Sequence, residues 1–156
     1  MKNVNIVCTS KPGDGLLHYS YEHCCFLNDL GINAKLIIVR NHKFTQQDYI
    51  NALNECYVKY ENVVFDFYTP TSNDITLIMG RSMLTLPYLS KSTYTNDQLL
   101  TLHLLFSGNL ISVYSENHIK EYPIALQYFK PKKIIDLCDF DVYPVGTGQH
   151  FEKIIN

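Results

Sequence analysis

The residues best suited to chemistry lie in a short glycine-rich stretch, Lys11-Pro12-Gly13-Asp14-Gly15. It follows a β-rich run, Val4 to Thr9, and precedes an apolar stripe at helical spacing. Two glycines one residue apart let a backbone approach a ligand with no Cβ in the way. The unpaired N–H groups of a helix starting near Leu16 favour an anion there, and Lys11 adds a positive charge. Lys11, Gly13, Asp14 and Gly15 are therefore candidate phosphate-binding residues. The plain alternative is a βα turn that needs glycine only for its dihedrals.

A second candidate is Ser115-Glu116-Asn117-His118, after the apolar run Leu110 to Tyr114. Ser115 suits an N-cap, which sets His118 in the first helical turn. A histidine there can act as a general base or bind a sugar or phosphate oxygen. Glu116 and Asn117 join it as candidate substrate contacts, with simple helix capping by Ser115 as the alternative. Asp139 and Asp141 form a carboxylate pair of the sort that suits a hard cation, but turn-forming aspartates explain them as well. Cys24 and Cys25, with His18 and His23, match no usual zinc spacing and read as small buried hydrophobes. No metal site is expected.

The spacing around the glycines excludes two common nucleotide loops. No third glycine follows Gly15 at the dinucleotide spacing, and Val39-Arg40-Asn41 stands where an acid would close the second strand. No Gly-Lys-Ser/Thr follows either, so a Walker A loop is absent.

These residues need a framework. The 156 residues are 46% hydrophobic and 18% charged, a globular composition of single-domain length. One α/β domain over 1–156 is expected. A net charge of −2 suggests no general nucleic-acid surface. Five cysteines, an odd number with two adjacent and no C-x-x-C pair, point to reduced thiols and a cytoplasmic setting. No segment is apolar for long enough to span a bilayer.

The periodicity predicts a strand over 4–9 and a helix with apolar positions Leu16, Tyr19, Cys24, Leu27 and Leu30, ended by Gly31. A second strand over 34–39 follows. Thr45 then caps a helix, with Asp48 in the capping-box position. A third strand covers 62–67, short helices cover 74–79 and 96–106, and a fourth strand covers 110–114. A helix over 116–129, bent or split at Pro123, and a fifth strand over 133–137 complete the order. Such alternation predicts a doubly wound, mainly parallel sheet with helices on both faces. Its ligand crevice lies beyond the strands' carboxyl ends. The loops 10–15, 68–74, 115–118 and 138–143 are expected there.

The first strand, the Lys11 to Gly15 loop, the helix ending Leu30-Gly31 and the strand Lys35-Leu36-Ile37-Ile38 resemble the start of a GT-B glycosyltransferase. The Asp141 to Gly146 stretch resembles the region where that family's N-terminal domain runs towards its linker, and Asp139-Phe140-Asp141 resembles the D-x-D motif of another glycosyltransferase class. The GT-B resemblance implies a Rossmann-like acceptor-side domain. A nucleotide sugar would be the donor substrate, a glycan or other hydroxyl compound the acceptor, and no cofactor or metal would be needed. It sets His118 near the acceptor and the glycine loop near the diphosphate. The family's donor-binding domain, with its E-x7-E pattern, has no counterpart in this sequence. The apolar interdomain face would therefore be covered by such a domain or by a second copy. The alternatives are a stand-alone Rossmann-like or flavodoxin-like nucleotide- or phosphate-binding module and a non-catalytic interaction domain.

Overall fold

The computed structural model describes residues 3–13, 15–54, 62–79, 94–113 and 133–135. They form an α/β fold built on one six-stranded sheet. The elements are β1 (Val4–Cys8), α1 (Gly15–Asp29), β2 (Ala34–Ile38), α2 (Gln46–Asn54), β3 (Val63–Phe65), β4 (Ile75–Met79), α3 (Asn96–Phe106), β5 (Asn109–Val113) and β6 (Lys133–Ile135). The sheet order is β3-β2-β1-β4-β5-β6, and every neighbouring pair is parallel. Val4 sits beside Ala34 on one side and Ile75 on the other, so the three central strands start level.

Both faces of this sheet are covered. On one face Val4, Ile6, Cys8, Leu36, Ile38 and Leu77 pack against Leu17, Tyr21, Cys24 and Leu27 of α1 and Tyr49 and Leu53 of α2. On the other, Val7, Ile37 and Val39 pack against Tyr94 and against Leu102 and Leu105 of α3. Strands buried on both sides lack an alternation of buried and exposed positions: VNIVC is buried throughout, and in AKLII only Lys35 is partly exposed.

The helix ends follow local rules. The Ile32 N–H donates to Leu27 O and the Gly31 N–H to Asn28 O, while Gly31 takes φ +84°. This is a Schellman ending, and glycine adopts that backbone without a Cβ penalty. Asn28 then ties α1 to β2, donating to Ala34 O and accepting from the Ala34 N–H. Thr45 and Asp48 exchange hydrogen bonds as a capping box at the start of α2. Thr95 and Gln98 do the same for α3.

Four expectations need correction. The α1 stripe is displaced: Leu30 is 49% exposed, and the buried face runs through Leu17, Ser20, Tyr21, His23, Cys24 and Leu27. The run 74–79 is not a helix. Ile75–Met79 is β4, the strand beside β1, because β-branched Ile75, Thr76 and Ile78 suit a strand buried on both faces. The loop 68–74 does not stay at the carboxyl edge. Beyond Phe65 the Asp66 N–H donates to Ile38 O, whereas the Ile75 N–H donates to Asn3 O at the opposite edge. The chain therefore runs back along the sheet to reach β4, with Tyr68 packed into the α3-side core and its N–H 3.4 Å from Thr101 Oγ1. β3 is also shorter than expected, since Asn62 and Asp66 take φ +72° and +67° at its two ends. The expected helix over 116–129 lies outside the described residues.

Candidate functional site

β1 has β2 on one side and β4 on the other, so the strand order reverses at its edge with β4. In open parallel sheets that reversal leaves a crevice beyond the carboxyl ends of the two strands. The glycine loop leaves β1 at this point. Lys11 and Gly13 are exposed, Gly13 takes φ +82°, and exposed Gly15 is the first residue of α1. The two glycines differ in what they answer to. A Cβ at either would meet nothing within 4 Å, but only Gly13 has a backbone that L side chains resist. Gly13 is required by the turn, whereas nothing within the described protein requires Gly15. Among the described residues, the first turn of α1 carries no acid.

Asp14, Glu116, Asn117 and His118 lie outside the described residues, as do Asp139 and Asp141.

The sequence reading missed a polar cluster beside this loop. Val39 N–H donates to Cys8 O, extending the β1–β2 ladder, and Arg40 follows at the edge. Asp66, 2% exposed, accepts from the Arg40 N–H at 2.9 Å, from Arg40 Nε at 2.8 Å and from Gln98 Nε2 at 2.7 Å. Gln98 Nε2 also donates to Arg40 O, and Arg40 Nη1 donates to Phe44 O. The ends of β2 and β3 and the first turn of α3 are joined in one network. Its members are 26 and 32 positions from Asp66, so no local pattern reveals it. The one sequence signal is Arg40 standing where an acid was sought.

Tyr49 and Tyr94 are buried beneath this edge. Burial pushes the Tyr94 phenol up to about 12 and raises that of Tyr49, so both remain neutral. Within α1, burial holds Cys24 up at about 12 and His23 down at about 4. A protonated thiol and a neutral imidazole suit core packing. Among the described residues no group of three His, Cys, Asp or Glu side chains could hold a metal ion.

The opposite edge carries a second polar cluster. Asp74 accepts from Thr71 Oγ1 at 2.6 Å, the Thr71 N–H, Asn5 Nδ2 and Asn3 Nδ2. Burial alone would raise its pKa, but these hydrogen bonds outweigh it and leave the carboxyl below the usual 3.8. The cluster fixes the return of the chain into β4. Among the described residues no helix is long and apolar enough to cross a membrane. No family model, curated protein or solved structure matches the chain.

Proposed function

We propose that this chain is a Rossmann-like domain of the GT-B glycosyltransferase type, whose switch-point crevice receives the phosphate-bearing end of a nucleotide sugar. The observation that carries this reading is the glycine loop. It joins β1 to α1 at the reversal of strand order, with Gly13 at φ +82° and open space beside Gly15. The N–H groups at the start of a 15-residue helix favour a phosphate oxygen. The order β3-β2-β1-β4-β5-β6 supports the Rossmann-like assignment, since it is the order of doubly wound nucleotide-binding sheets.

The proposed reaction is attack by an acceptor hydroxyl on the anomeric carbon. The bond to the nucleoside diphosphate breaks and the diphosphate leaves with the bonding pair. His118 takes the hydroxyl proton as general base, and Glu116 and Asn117 contact the sugar or acceptor. A donor-binding domain, covering the face beyond the crevice, completes the site. The chemistry calls for no cofactor.

Titration of the isotope-labelled protein with UDP, UDP-glucose and ADP, followed by the Gly13 and Gly15 amide signals, tests the loop. The expected outcome is a saturable shift that Gly13→Val abolishes. Silence of both amides towards all three compounds would remove the reading. Equal affinity for UDP and UDP-glucose, with no hydrolysis or transfer, would favour a stand-alone nucleotide-binding module.

A further inference from the structure

We propose that one internal water molecule is bound between Asn5 Oδ1 and Thr76 Oγ1, joining β1 to β4 on the α3 side of the sheet. This position lies towards the opposite edge of the sheet from the glycine loop. Asn5 is the second residue of β1 and is fully buried. Its side chain shares the sheet face of Val7, since alternate residues of a strand point the same way. Parallel pairing sets Lys35 of β2 on one side of Asn5 and Thr76 of β4 on the other, with both side chains on that face.

Hydrogen bonds fix which way the Asn5 amide is turned. Nδ2 donates to Asp74 Oδ2 at 2.9 Å, and the Tyr68 phenol hydrogen-bonds to both Asn5 and Asp74. A flipped amide would set its oxygen against the Asp74 carboxylate, so Oδ1 is the atom turned away. Oδ1 is shut off from bulk solvent and accepts from no donor among the described residues. Lys35 is placed elsewhere, with Nζ 5.4 Å from the centroid of the Tyr68 ring. A buried carbonyl oxygen without a donor is costly, and internal water is the usual donor to such atoms in folded proteins. A bound water needs at least a second polar partner, which the hydroxyl of Thr76, itself 2% exposed, supplies. Asp74 already accepts four hydrogen bonds, and Lys35 brings a positive charge to the same face. A neutral donor therefore fits here better than a cation.

The test combines a high-resolution crystal structure of the wild type with oxygen-17 relaxation dispersion of the protein in solution. Density for one water within hydrogen-bonding distance of both Asn5 Oδ1 and Thr76 Oγ1 is the expected result. Thr76→Val keeps the side-chain shape and removes the hydroxyl. It is expected to shorten the residence time of this water roughly tenfold, as the loss of one hydrogen bond implies. Thr76→Ser, which keeps a hydroxyl, is expected to retain the wild-type dispersion. Lys35 Nζ or Thr76 Oγ1 found directly on Asn5 Oδ1, with no water between, would overturn the proposal. A dispersion that Thr76→Val leaves unchanged would overturn it too. If Thr76→Val does not fold, the wild-type density decides alone, and its absence beside Oδ1 is the overturning result.

Discussion

Gln98 Nε2 lies 2.7 Å from Asp66 Oδ1, binding the first turn of α3 to the end of β3. The same nitrogen donates to Arg40 O, and the Gln98 Oε1 accepts from the Thr95 N–H. One side chain thereby completes a helix cap and fastens that cap over the carboxyl edge of the sheet. Gln98→Ala should lower stability by about 1–3 kcal/mol, the cost of leaving a buried partner short of a donor. A surface cap alone would be worth about 1 kcal/mol. Urea denaturation of Gln98→Ala and Thr95→Ala distinguishes these contributions, with the larger loss expected for Gln98.

The two glycines should respond in opposite ways. Gly13→Ala forces a Cβ into a left-handed backbone and should cost about 1–2 kcal/mol. Gly15→Ala should be neutral or stabilising by up to about 1 kcal/mol, since Gly15 lies within α1 and faces open space. If Gly15→Ala keeps its thermal midpoint and loses nucleotide binding, the glycine serves a ligand. If binding also survives, close backbone approach at that position is refuted.

His23 gives a pH dependence with a definite sign. Burial lowers its folded pKa from 6.5 to about 4. The unfolded chain therefore takes up a proton first as the solution is acidified. Stability should fall between pH 6.5 and 4 and level off below, a total effect on the order of 3 kcal/mol. His23→Gln should remove this slope from the plot of unfolding free energy against pH, whatever it does to stability at pH 7.

Asp74 acts in a lower window. Its folded pKa is depressed, so its contribution is complete well above the ordinary value of 3.8. It is lost as pH falls below that value and through the lower folded one. Asp74→Asn should lose stability at pH 7 and show a flatter acid limb below pH 4. An unchanged acid limb would mean that the four hydrogen bonds to Asp74 contribute nothing net.

Much of this protein follows from short-range pattern. The β1–glycine loop–α1–β2 succession, the Gly31 ending, the Thr45–Asp48 box and the 96–106 helix depend on residues within about five positions of one another. Local sterics and hydrogen bonding decide them, so they were legible in the sequence. Strand burial was less so. The run Ile75 to Met79 is largely apolar and carries no period of two, so its local pattern admits the expected short helix, whereas pairing with β1 and β5 makes it a strand. That reading hid a central strand and sent the 68–74 loop to the wrong edge. The Arg40–Asp66–Gln98 network was beyond any local pattern, because parallel pairing of β2 with β3 and the docking of α3 bring those residues together. The amino-acid sequence by itself determined where glycine, caps and apolar runs must lie. Only the tertiary structure decided which strands are neighbours, and so which side chains share the edge where the glycine loop opens. Strand neighbours are chosen by burial of whole faces over long chain separations, a choice that no single segment contains.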